Sequence, residues 1–66
     1  MQITVNGETL ELPAPASLAD LIDRQGLQNA ACATEVNRRL IPKRERSAIV
    51  LEDGDRVEIV TLVGGG

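Results

Sequence analysis

Apolar and polar residues alternate from Met1 to Val5 and again from Thr9 to Leu12, and Asn6-Gly7 lies between the two runs. A two-residue Asn-Gly loop favours a type I′ turn, because both positions take positive φ. A hairpin centred there pairs Val5 with Glu8, Ile3 with Leu10 and Met1 with Leu12, all on one face of the sheet. That face is apolar except at Glu8 beside the turn, and the other face carries Gln2, Thr4, Thr9 and Glu11.

The alternation stops at Pro13 and Pro15, and a helical spacing replaces it at Leu18, Leu21 and Ile22. Ser17 is suited to the N-cap, with Asp20 at N3 completing a capping box. Gly26 falls at C′ of a Schellman stop, which sets Leu27 at C″ against Ile22 at C3. The spacing therefore predicts one helix from about Ser17 to Gln25. From Ala30 to Val36 alternation returns, and a third strand would turn Cys32, Thr34 and Val36 to the core. Cys32 then acts as a small hydrophobe. Leu40-Ile41 reads as a short extended piece kept out of helix by Pro42. Ile49-Val50-Leu51 reads as another short strand, Asp53-Gly54 as a turn, and Arg56 to Val63 as the last strand. Simple alternation along that strand sends Val57, Ile59, Thr61 and Val63 inward. It sends Arg56, Glu58, Val60 and Leu62 outward. Gly64-Gly65-Gly66 has no side chains with which to anchor itself.

These elements predict an α+β fold: one main helix covering a mixed four- to five-stranded sheet, in a β-grasp-like arrangement. Residues 1–63 form the domain and residues 64–66 a flexible tail.

Composition narrows the chemistry. A chain of 66 residues with no Phe, Tyr or Trp builds its core from aliphatic side chains. It has little room for a substrate pocket of the usual ~300–1,000 Å³. No histidine and a single cysteine leave no Ser-His or Cys-His pair, no internal disulfide and no ready metal site. The net charge of −3 disfavours nucleic acid as a partner. No apolar run is long enough to span a membrane. A free thiol without a signal sequence fits a reducing cytoplasm. Five of the seven basic residues fall between positions 38 and 46: Arg38, Arg39, Lys43, Arg44 and Arg46. Such a run reads as a solvated loop, or as a surface for an acidic partner.

Asp53-Gly54-Asp55-Arg56-Val57-Glu58-Ile59-Val60, followed by Val63-Gly64-Gly65-Gly66, resembles the C-terminal signature of the ThiS family, the sulfur carriers of thiamine thiazole biosynthesis. Ile3-Thr4-Val5-Asn6-Gly7, Val36-Asn37 and Ile41-Pro42-Lys43 match the family's recurring segments in the same order. Two features depart from the pattern. The family often has an aromatic residue near position 46, here Arg46, and often has Val where this chain has Cys32 and Thr34.

The resemblance implies a carrier, a co-substrate of other enzymes with no catalytic residues and no bound cofactor of its own. The reactive group is the carboxylate of Gly66, presented by Gly65. An E1-like adenylyltransferase of the ThiF type uses ATP to adenylate it. Sulfur from a donor such as a cysteine desulfurase system converts it to a thiocarboxylate, and a thiazole synthase of the ThiG type consumes that sulfur. An α-carboxyl is ionised near neutral pH and can attack phosphorus, while bare glycine backbone can enter a narrow channel. Val60 and Leu62, with Gly64, would form the docking surface at the root of the tail. The alternatives are a sulfur carrier of another pathway, such as the small subunit of molybdopterin synthase, and a ubiquitin-like interaction module without sulfur chemistry.

Overall fold

The structure is a computed structural model and describes residues 1–62. Five strands and one α-helix follow in the order β1 Gln2–Val5, β2 Glu8–Glu11, α1 Leu18–Arg24, β3 Cys32–Val36, β4 Arg39–Ile41 and β5 Arg56–Thr61, with a 3-10 helix at Lys43–Ala48 before the last strand. The sheet order is β2-β1-β5-β3-β4. The last strand therefore lies in the middle, parallel to β1 and antiparallel to β3. This is the β-grasp arrangement.

The first hairpin has the register expected from its turn. Ile3 faces Leu10 and Val5 faces Glu8. Met1 and Leu12 exchange a backbone bond of 2.9 Å. Asn6 and Gly7 have φ of 50° and 84°, as a type I′ turn requires.

The helix also begins and ends as its caps dictate. The Ser17 hydroxyl accepts from the Asp20 N–H at 3.0 Å, and the Asp20 carboxylate accepts from the Ser17 N–H at 2.9 Å. Gly26 sits at φ 74°. The Leu27 N–H reaches the Ile22 carbonyl at 3.0 Å and the Gly26 N–H the Asp23 carbonyl at 3.0 Å, which is a Schellman stop. Leu18, Leu21 and Ile22 are buried against Ile3, Val5, Ile41, Leu51, Val57 and Ile59 of the sheet side.

Three expectations need correction. Ile49-Val50-Leu51 is not a strand. It forms one isolated bridge, Ser17 to Val50, with the Leu18 N–H on the Ile49 carbonyl and the Leu51 N–H on the Ala16 carbonyl. An apolar run satisfies a strand pattern locally, but here the segment meets only the lead-in to α1. The third strand starts at Cys32, two residues later than expected. The segment Lys43–Ala48, read as loop, winds into the 3-10 helix. The last strand runs as far as Thr61; Val63, its expected end, lies outside the described residues.

Candidate functional site at the end of the central strand

The site is the far end of β5, from which the chain continues toward its glycines. Alternation holds along the strand. Val57 and Ile59 are 1% and 7% exposed, whereas Val60 and Leu62 are each 58% exposed. The expected outward pair is therefore brought to the surface at the end of the described chain. Ala33 on β3 stands directly opposite Val60, and the Leu62 N–H donates to the Ala31 carbonyl at 2.8 Å. Leu40 joins the same outer face through its pairing with Glu35 and is largely exposed. It was not singled out in the sequence, although the alternation that buries Ile41 also turns Leu40 outward. Glu35 and Glu58 face each other across the same two strands. Like charges in this position repel, so they give the apolar patch a negative border.

The two ends of β5 are held differently. At its start, two asparagines from separate turns grip the strand. The Asn6 side chain accepts from the Ile59 N–H at 2.8 Å and donates to the Ile59 carbonyl at 3.0 Å, continuing the β1 ladder after its last residue pair, Val5–Val57. On the other edge, Asn37 accepts from the Arg56 N–H at 3.0 Å and donates to the Asp55 carboxylate at 3.0 Å. Both asparagines have positive φ, 50° and 51°, a conformation they tolerate better than most residues. Beyond Ile59, the strand pairs with β3 alone among the described residues.

Cys32 lies on the core side of β3, half-buried and packed against the core. Its side chain therefore points to the face opposite the Val60 patch. Arg38, Arg39, Lys43 and Arg44 are exposed, as a solvated segment should be.

Arg46 breaks that pattern and is only 8% exposed. Its Nε donates to Thr34 Oγ1 at 3.2 Å and its Nη2 to the Cys32 carbonyl at 2.6 Å. The expectation of a uniformly solvated basic loop is corrected at this residue. Neutral acceptors on β3 draw its guanidinium inward from the 3-10 helix.

Two hollows of about 320 Å³ each lie beside Asn37, one toward Ile49 and Glu52 and one toward Arg56 and Glu58. Among the described residues no three His, Cys, Asp or Glu side chains gather as a metal site would require. No helix there is long and apolar enough to cross a membrane. The candidate reactive residues Gly65 and Gly66, and the candidate docking residue Gly64, lie outside the described residues.

The fold and the exposed apolar end of its central strand define a ubiquitin-like β-grasp domain. The ThiS family model matches residues 2–66, and the chain belongs to that family. A ThiS thiamine biosynthesis protein from Geobacter metallireducens has a crystal structure that superposes with a TM-score of 0.82 at 26% identity, covering 100% of both chains. The sulfur carrier protein ThiS of Escherichia coli is 23% identical over 66 residues, again 100% of both chains. A thiazole synthase from Paramagnetospirillum magneticum is 32% identical over all 66 residues, but the chain spans only 20% of that protein's length.

Proposed function

We propose that this protein is the sulfur carrier for the thiazole ring of thiamine, and that it works through the carboxylate of Gly66. The observation that carries the reading is the extent of the family match, which runs from residue 2 to residue 66 and takes in the glycines as well as the domain. The division of labour follows: residues 1–63 are a handle, and residues 64–66 carry the chemistry.

The chemistry belongs to the enzymes that hold the handle. A carboxylate cannot be displaced by sulfur directly, because oxide is not a usable leaving group. In the activating enzyme an oxygen of Gly66 attacks the α-phosphorus of ATP and pyrophosphate leaves. Sulfur originating from a cysteine, delivered at the sulfide level with a thiol as reductant where it arrives as a persulfide, then displaces AMP at the acyl carbon and gives the thiocarboxylate. Thiazole synthase takes the sulfur and returns the carboxylate. A thiazole synthase that contains a segment similar to this whole chain supports that enzyme as a partner. Val60 and Leu62 are the docking residues, continued by Gly64, because both enzymes must grip the same domain while its tail reaches a buried active site.

ATP–pyrophosphate exchange with the cognate activating enzyme tests this reading. One residue added after Gly66 displaces the carboxylate by up to about 3.6 Å, against a near-attack distance of roughly 3–3.5 Å. Exchange should be abolished while the fold persists. Gly65→Val keeps the carboxylate but adds a branched side chain where the channel closes, and should also suppress exchange. Normal exchange by the untrimmed extended chain would place the chemistry elsewhere.

A further inference from the structure

We propose that Arg46 is a positioning residue for the end of β5: its buried guanidinium fixes the first residues of β3, which in turn hold Thr61 and Leu62. The chain of contacts is short. Nη2 donates to the Cys32 carbonyl at 2.6 Å. Cys32 stands opposite Thr61 in the β3–β5 ladder, and its neighbour Ala31 accepts the Leu62 N–H at 2.8 Å. The other arm of the guanidinium, Nε, donates to Thr34 Oγ1 at 3.2 Å, and that hydroxyl donates to the Ile41 carbonyl at 3.3 Å. One side chain thus fastens the start of β3 to the 3-10 helix and, through Thr34, to β4.

The placement is costly, which is why it calls for a role. A guanidinium taken out of water loses solvation that only good geometry and full hydrogen bonding offset. Among the described residues the one ion pair joins the Met1 amine to Glu11, so no carboxylate is paired with Arg46. An apolar side chain of similar length would fill the same space under α1 without that cost. What it could not do is hold the Cys32 carbonyl. That bond matters at this end of the sheet because β5 has already lost β1 as a neighbour after Ile59. Val60 to Leu62 are aligned by β3 and the preceding Ala31 alone among the described residues, so any play at the start of β3 passes directly to Thr61 and Leu62.

The effect on loading rests on the carrier reading; the effect on strand end order does not. Arg46→Met removes the charge and both donated bonds, and Arg46→Lys keeps a cation able to reach one acceptor. Amide hydrogen exchange by NMR reports Leu62, on Ala31, against Thr4, on Asp55 in the β1–β5 ladder. Arg46→Met should speed exchange at Leu62 by about tenfold or more relative to Thr4, the size expected for a lost charge-assisted bond. Arg46→Lys should fall between it and the unaltered protein.

In ATP–pyrophosphate exchange, kcat should fall about tenfold or more with KM within about twofold, as misplacement of a reacting group predicts. Equal acceleration at Leu62 and Thr4 would reduce Arg46 to a general stabiliser, and no acceleration at either would leave it without a positioning role; each outcome overturns the inference. A preserved kcat would overturn its link to loading. If Arg46→Met does not fold, the same comparisons are read from Arg46→Lys. If the unaltered protein shows no pyrophosphate exchange, the carrier reading fails and the hydrogen-exchange arm still decides the positioning role.

Discussion

The start and the end of β5 are one strand with opposite priorities. At the start, Val57 and Ile59 are buried, and Asn6 and Asn37 reach in from two turns to satisfy backbone groups that no strand covers. At the end, Val60 and Leu62 leave more than half of their surface in water, and only β3 holds them among the described residues. The first arrangement spends side-chain hydrogen bonds to make the strand immovable. The second leaves the apolar side chains of Val60 and Leu62 exposed. A domain clamped on its core side and open at the other end of the same strand suits the proposed carrier role, in which a partner grips the open end while the fold stays intact.

The largest effect should come from breaking the clamp. Asn6→Ala removes both bonds to Ile59 and puts a Cβ-bearing apolar residue at positive φ. Leaving two partly buried backbone groups unpaired, with added strain in the left-handed region, should cost about 2–4 kcal/mol. A domain of this size has a net stability of about 3–5 kcal/mol, so urea unfolding followed by far-ultraviolet circular dichroism should show a protein close to its midpoint without denaturant. Asn37→Ala makes the same cut at an exposed turn, where water replaces part of what is lost, and should cost about 1–2 kcal/mol by the same measurement. Equal losses at the two asparagines would mean that burial of Ile59 does not set the difference between them.

The open end should respond in binding instead of stability. Leu62→Asp should leave the urea midpoint almost unchanged, within about 0.5 kcal/mol. It should weaken association with the activating enzyme and with thiazole synthase by more than about 1 kcal/mol in a calorimetric titration. Unchanged affinity for both enzymes would remove the docking role of the patch. The smallest effect belongs to Cys32→Ala. Its half-buried side chain should cost about 1 kcal/mol or less, and sulfur loading should proceed at the normal rate. Loss of loading by a folded Cys32→Ala protein would move the sulfur chemistry from the tail to the thiol.

Local rules made much of this readable in advance. The Asn6-Gly7 turn set the register of the first hairpin, the Ser17–Asp20 box and Gly26 set the ends of the helix, and alternation alone separated Ile59 from Val60. The readings that failed depend on partners far away in the chain. The Asn6 side chain bonds a residue 53 positions later, so its turn role was legible and its clamp role was not. Arg46 sits in a run of basic residues that looks solvated, and only the acceptors of β3 explain why it turns inward. Ile49-Val50-Leu51 has a strand's composition, but folding gives it a single bridge to Ser17. The glycines were legible only through resemblance, since residues without side chains carry no pattern.

The last of those glycines, Gly66, carries the proposed sulfur chemistry. Its most direct test is intact-mass and fragment-mass spectrometry of the protein after incubation with the activating enzyme, ATP and a cysteine-derived sulfur donor. An ATP-dependent species should appear in which one oxygen has been replaced by sulfur, with the change confined to the fragment that ends at Gly66. An unmodified Gly66 fragment under conditions in which the same enzymes load another carrier, or sulfur found on Cys32 instead, would contradict it.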